Sequence, residues 1–225
     1  MGKSGDRRGG GGGDTGASLT GLRERKKQRM YQTVSDTAIT LFLEKGFEHV
    51  SVAEVAAAAE ISKPTLFRYF PAKEDLALHR FADHQDEAAR VVAAGRAAGR
   101  SPLAALHRHF REALDRHDPV TGLNDEPRVL EFHGLLYSTP SLVARLHAYL
   151  DRSEQALADA LAPVASDDLT ARLAGGQIIA AQRILAEQNW ARIHAGRTAE
   201  AAFPQAVQDA DLAFGQLRSG LGQYA

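Results

Sequence analysis

From Ser51 to Lys73 the chain reads SVAEVAAAAEISKPTLFRYFPAK, two short apolar runs on either side of a polar turn. Ser51 with Glu54 three residues on forms a capping-box signature before Val55–Ala59, so a short, Ala-faced helix is expected there. Glu60-Ile61-Ser62 then supplies a turn with one apolar anchor and a second N-cap, and a new helix is expected from Lys63 to about Phe70. Pro64 in its first turn needs no intrahelical N–H partner and fixes a helical φ, which marks a start and not a break. Two capped helices at this spacing make a helix-turn-helix. Lys63, Thr65, Arg68 and Tyr69 place donors on the second helix, the one such motifs present to bases and phosphates.

Upstream, Tyr31, Val34, Ala38, Leu41 and Phe42 fall close to one helical stripe, and Gly46 is the expected C-cap. This long helix and the pair after it make a three-helix domain, and a fourth helix from about Ala72 to Ala94 is expected to act as a lever to the remainder. Beyond it there is no strand alternation and no repeat. The helical patterns are punctuated by capping signals at Ser101-Pro102, Asp125-Glu126-Pro127, Thr139-Pro140, Ser166-Asp167 and Phe203-Pro204. The expected fold class is therefore all-α. The last two helices are expected at about Asp168 to Ala195 and Pro204 to Arg218, with Leu173, Ile178, Ile179, Ile184 and Leu185 on the first and Val207, Leu212, Phe214 and Leu217 on the second.

Length and composition narrow the class of molecule. At 225 residues and 44% hydrophobic content the chain can bury a sizeable core, enough for one or two domains. No apolar run approaches the roughly 20 residues that span a bilayer, and the N-terminus lacks a signal-peptide core, so no membrane association and a cytoplasmic location are expected. The absence of cysteine excludes disulfides, thiolate metal sites and a cysteine nucleophile. The net charge of −1 conceals segregation: residues 1–80 hold 13 basic against 10 acidic residues, and residues 81–225 hold 14 against 18. Residues 1–31 alone carry 8 basic and 3 acidic residues, a lead-in suited to phosphate attraction. The Gly-rich residues 1–21 cannot bury a core and are expected to be a disordered basic tail.

The block from Leu22 to Leu76 resembles the N-terminal domain of the TetR family of bacterial transcriptional regulators. The resemblance rests on the basic lead-in Arg23-Glu24-Arg25-Lys26-Lys27, on Phe42-Leu43-Glu44-Lys45-Gly46-Phe47, on the capped helix at Ser51, and on Ser62-Lys63-Pro64-Thr65-Leu66-Phe67-Arg68-Tyr69-Phe70 followed by Lys73-Glu74-Asp75-Leu76. It implies a helix-turn-helix DNA-binding domain over residues 22–71 and a helical effector-binding and dimerisation domain over residues 72–225. It further implies base reading by Lys63, Pro64, Thr65 and Phe67, and phosphate contacts from Ser51, Tyr69 and Lys73. Ser62, Arg68 and the lead-in residues Arg23, Arg25 and Lys26 complete the expected DNA face. Two positions depart from the family pattern. Phe67 stands where a phosphate-binding tyrosine is frequent and offers a ring to a thymine methyl instead, and Glu60 stands where the turn usually holds glycine.

The same resemblance implies a bacterial repressor that binds a pseudo-palindromic double-stranded operator as a homodimer, through its last two helices, and is released by a small organic effector of unknown identity. An effector pocket is expected between about Arg100 and Leu161, where family pockets diverge. Phe110, Leu114, Phe132, His133, Leu136, Tyr137 and Trp190 combine apolar walls with polar handles and are its candidate lining, although ordinary core packing is the commoner role for each by type. The loop from His117 to Pro127 is either a pocket mouth or a plain connection.

An enzyme is the alternative from another class, and a ligand-independent regulator the alternative within the family. His79 and Asp83 lie one helical turn apart, a chelating spacing, but no third ligand is evident, and His107 and His109 stand on different faces among Arg108 and Arg111. No P-loop, Gly-x-Ser-x-Gly or strand-borne dinucleotide fingerprint is present, so neither cofactor, metal nor catalytic residue is expected.

Overall fold

The computed structural model describes residues 15–225, with side chains from Arg25 onward except those of residues 80, 82 and 83. Among the described residues there are ten α-helices and no strand: α1 Thr15–Lys45, α2 Val52–Ala58, α3 Lys63–Tyr69, α4 Lys73–His84, α5 Glu87–Ala97, α6 Pro102–Asp115, α7 Pro127–Ser138, α8 Pro140–Leu161, α9 Asp168–His194 and α10 Ala199–Gly220. The all-α expectation stands, with the three N-terminal helices forming a helix-turn-helix unit.

Most helix starts follow the local signals. Ser51, Ser62, Ser101 and Asp167 each accept a hydrogen bond from the backbone N–H three residues on, and Pro127 and Pro140 open their helices. Three boundaries differ from expectation. The single lever helix expected over 72–94 is broken at Gln85–Asp86 into α4 and α5, and Gln85 accepts a hydrogen bond from Arg152 of α8 there. The last helix starts at Thr198, whose hydroxyl caps Ala201, so Pro204 lies inside α10 and does not begin it. The helix α1 begins at Thr15, inside the stretch read as tail; residues 1–14 of that tail lie outside the described residues.

Two apolar cores divide the molecule. The first joins Val34, Ala38 and Phe42 of α1 to Val55, Leu66, Phe70 and Leu76, and continues into Leu136 of α7 and Leu142, Leu146 and Tyr149 of α8. The second gathers Leu103, Leu106, Phe110 and Leu114 of α6 with Leu157 and Leu161 of α8, Ile178 and Leu185 of α9, and Phe214 and Leu217 of α10. The 22-residue α8 therefore runs from one core to the other. Its far half crosses α9 closely at Gly175, where an added Cβ would lie 3.0 Å from the Glu154 carbonyl oxygen and 3.2 Å from the Ala158 nitrogen.

The connection from His117 to Pro127 is tied down. Gly122 has φ +70°, and a Cβ on it would fall 2.0 Å from the Ala186 carbonyl oxygen, so the loop lies flat on α9. Buried Asn189 donates to the Thr121 carbonyl at 2.9 Å, and Asp125 accepts from the Ala199 N–H at 3.0 Å. The segment straps α6 to α9 and α10.

Candidate nucleic-acid interface

The turn between α2 and α3 orients the second helix of the motif. Ile61 N–H reaches the Ala56 carbonyl at 2.9 Å and Glu60 N–H the Ala57 carbonyl at 3.1 Å, a Schellman closure that places Glu60 at φ +54°. Glu60 thus adopts the left-handed conformation that glycine usually fills. Its neighbour Ser62 accepts from the Thr65 N–H at 3.2 Å and shares a 2.8 Å hydrogen bond with the Thr65 hydroxyl. At the start of α2 the Ser51 hydroxyl accepts from Glu54 N–H at 3.1 Å. The Glu54 carboxylate pairs with Lys45 at the end of α1, and this pairing, helped by the Ser51 N–H, holds it below the usual carboxylate range.

Packing divides the side chains of α3 by face. Leu66 is fully buried in the first core, whereas Lys63, Pro64, Phe67 and Arg68 are exposed. The Arg68 guanidinium lies over the Tyr69 ring at 4.9 Å and donates to the Tyr69 hydroxyl at 3.1 Å. Tyr69 in turn meets Tyr31 of α1 edge-on at 5.1 Å, which ties the end of α3 to the basic helix before it. Phe67 is 42% exposed, and the Lys63 ammonium sits 5.9 Å from its ring centre. Lys73, expected at a phosphate, donates instead to the Phe47 carbonyl and covers the Phe47 ring at 4.2 Å, pinning the start of α4 to the turn after α1. Arg25 and Lys26 are exposed on α1, and the Arg23 side chain lies outside the described residues.

Sequence reasoning missed the group that fixes this unit to the body. Asp75, only 6% exposed, accepts from the Ala72 N–H at 3.0 Å, from Arg145 Nε and Nη2 at 2.8 and 2.9 Å, and from the Tyr149 hydroxyl at 3.0 Å. Arg145 and Tyr149 belong to α8, so a buried carboxylate at the first turn of α4 is bound to the helix that spans both cores. An acidic residue at that turn is a legible cap; partners 70 and 74 positions away leave no local signal.

The seven candidate pocket residues fall in three places. Phe110 and Leu114 fill the second core, Leu136 belongs to the first with Phe132 packed against it, and His133, Tyr137 and Trp190 form a stack between α7 and α9. In that stack the His133 and Trp190 ring centres are 3.3 Å apart, Tyr137 is half exposed, and burial pushes the His133 imidazole down to about 4. They do not converge on one cavity; an open groove between α8 and α9, walled by Glu154, Ala158, Leu173 and Gly176, includes none of the seven. The histidines singled out by spacing are engaged by neighbouring side chains. His79 stacks on Tyr31 at 5.0 Å, with the Asp83 side chain outside the described residues, while His107 bonds Asp211 at 2.7 Å and His109 contacts Glu87 at 3.2 Å. Among the described residues no group of three or more acidic or histidine side chains is placed to hold a metal ion, and no helix is long and apolar enough to cross a membrane.

Residues 35–79, which contain α2, α3 and the Asp75 bolt, match the family model of the bacterial regulatory proteins of the tetR family. The chain is 37% identical over 136 residues to the HTH-type transcriptional regulator TcmR of Streptomyces glaucescens; the match spans 60% of this chain and 58% of TcmR. Among solved structures, a protein described as a TetR-family transcriptional regulator from Mesorhizobium loti superposes with a TM-score of 0.54 at 16% identity, over 85% of this chain and 96% of that one. Native NalD of Pseudomonas aeruginosa gives 0.53 at 18% identity, over 83% and 97%. At these identities the structures speak for the fold, the family match lies in the helix-turn-helix segment, residues 35–79, and the chain spans less than two thirds of the length of TcmR.

Proposed function

We propose that the protein is a sequence-specific DNA-binding transcriptional regulator, a cytoplasmic bacterial repressor that holds a pseudo-palindromic operator as a two-fold dimer and leaves it when a small organic ligand binds the helical body. The observation that carries the reading is the exposed tip of α3, where Lys63, Pro64 and Phe67 project from a helix whose other face is locked in the core. Such a tip suits a major groove, which is wide enough to admit a helix. In this reading Thr65 and Ser62 set the helix start, Arg68, Tyr69 and Ser51 meet phosphates, and Arg25 and Lys26 with Arg23 add charge along the duplex. Lys73 joins them if it leaves the Phe47 carbonyl when DNA arrives.

TcmR is a transcriptional regulator, and NalD is the secondary repressor of a multidrug efflux pump; both support the regulatory reading. Residues 22–71 are the reading head and residues 72–225 the effector and dimer body, with α8 and α4 as the route between them. A ligand acts only as far as it prefers the arrangement whose half-site spacing is wrong. A ligand-independent regulator is the second reading, favoured by the dispersal of the seven pocket candidates over three places. Selection from a random duplex library followed by fluorescence anisotropy at two salt concentrations tests the proposal. The expected result is an enriched palindrome bound in the presence of scrambled competitor; binding that shows no enrichment and vanishes at the higher salt overturns it.

A further inference from the structure

We propose that Phe67 is a specificity-determining residue that reads the 5-methyl group of a thymine in each operator half-site, with Lys63 on a neighbouring guanine. This inference rests on the DNA-binding reading and names the chemistry that the α3 tip recognises. The hydrogen-bonding side chains of α3 are largely committed within the protein. The Thr65 hydroxyl is held at 2.8 Å by Ser62, Arg68 lies on Tyr69, and Tyr69 is braced against Tyr31. Of the four exposed side chains of α3, Arg68 is engaged by Tyr69, which leaves Lys63, Pro64 and Phe67, and two of these three carry no donor or acceptor.

The exposure of Phe67 is the anomaly to be explained. The other aromatic residues of this unit are buried or packed into it: Phe42, Phe47 and Phe70 lie in the first core, and Tyr31 and Tyr69 pack against it. Phe67 alone of the six stands 42% exposed, one turn beyond Pro64 on the solvent face. A ring there forms no hydrogen bond to a phosphate. The apolar group that a major groove offers is the thymine methyl, and phenylalanine is a side chain that contacts it. Lys63 lies one helical turn before Phe67, with its ammonium 5.9 Å from the ring centre. When the ring meets a methyl, an ammonium this far from the ring reaches a neighbouring base pair, where guanine O6 and N7 are the acceptors lysine takes.

The test uses duplexes enriched by the full-length protein. Each thymine of the half-site is replaced singly by deoxyuridine, which removes the methyl and nothing else, and affinity is read by anisotropy. At one or two thymines per half-site the wild type is expected to lose about four-fold, the worth of one buried methyl. Phe67→Ala is expected to bind the unmodified duplex more weakly and to show no further loss on deoxyuridine, while Phe67→Leu keeps part of the sensitivity. Replacing the neighbouring guanine by 7-deazaguanine weakens the wild type and leaves Lys63→Ala unchanged. Specific binding with less than two-fold loss at every thymine overturns the inference and leaves the regulatory reading standing. Failure to enrich any sequence overturns both. Because deoxyuridine leaves the protein untouched, a misfolded variant cannot mimic either result.

Discussion

At the scale of single residues, the helix starts are set by partners that lie within one turn. Ser51, Ser62 and Ser101 cap the N–H three residues on, and the proline after the last two fixes the entry φ, so composition and spacing suffice. Glu60 is different: its left-handed φ of +54° is imposed by the closure of α2 onto α3, against its own preference. A non-glycine residue there costs about 1–2 kcal/mol, and glycine gives back part of that through a freer unfolded chain. Glu60→Gly is therefore expected to stabilise the protein by up to about 1 kcal/mol in urea unfolding; a loss of stability would mean that the glutamate side chain holds the turn. His133 carries a pH signature of opposite origin. Burial keeps its imidazole neutral down to about 4, with the His194 charge adding to the effect, while in the unfolded chain it ionises near 6.5. The unfolded state thus binds the extra proton, and the stability present above pH 6.5 is lost as pH falls from 6.5 towards 4. With the ring only partly buried, about 1 kcal/mol is expected. His133→Gln should flatten that limb of the stability profile relative to wild type, and an unchanged slope would place the titration elsewhere.

At the scale of elements, helix existence was legible and helix continuity was not. The break between α4 and α5 falls in His84-Gln85-Asp86 with neither glycine nor proline, and Asp86 caps nothing with its side chain. The bend is set by tertiary partners: Arg152 binds Gln85, and Glu87 accepts from His84 at 2.6 Å and from His109 of α6 at 3.2 Å. The start of α10 was misplaced for the converse reason. Pro204 is a strong local punctuator, yet it lies early in a helix already begun by the Thr198 cap. The joint between α4 and α8, Asp75 with Arg145 and Tyr149, depends wholly on long-range packing. Every oxygen of that carboxylate is engaged, so removing it strands a partly buried guanidinium and a buried phenol. Asp75→Ala is expected to cost about 2–4 kcal/mol, and a double-mutant cycle with Arg145→Ala should recover a coupling of about 1 kcal/mol or more. A cost below about 0.5 kcal/mol, the range of an ordinary surface change, would show that α4 and α8 are held by their apolar contacts alone.

At the scale of the whole molecule, periodicity identifies apolar residues on α9 and α10 without saying whose core they enter. Ile178, Ile179 and Leu185, with Phe214 and Leu217, fill the second core of the same chain. Leu169, Leu173 and Ile184 face the other way on α9, 67%, 56% and 50% exposed, and Leu212 on α10 is 62% exposed. In the proposed dimer this second apolar face of α9 is the seat of the symmetry mate. The pocket resisted reading for a related reason: the same aromatic residue types serve core, stack and ligand wall, and sequence alone does not separate them. Dimerisation also sets the geometry of the proposed activity, because two α3 tips must stand about 34 Å apart to enter successive major grooves. The double change Leu173→Glu with Ile184→Glu places two charges on the outer face of α9 and none in the core. Light scattering is expected to give the 24.3 kDa mass of one protomer at micromolar concentration, with helicity by circular dichroism unchanged. Affinity for a two-half-site operator should then fall at least about 100-fold towards that of a single half-site, since the second contact is no longer intramolecular. A wild type that is itself monomeric would overturn the dimer, and a variant that still dimerises on the same operator would put the two-fold axis on another face.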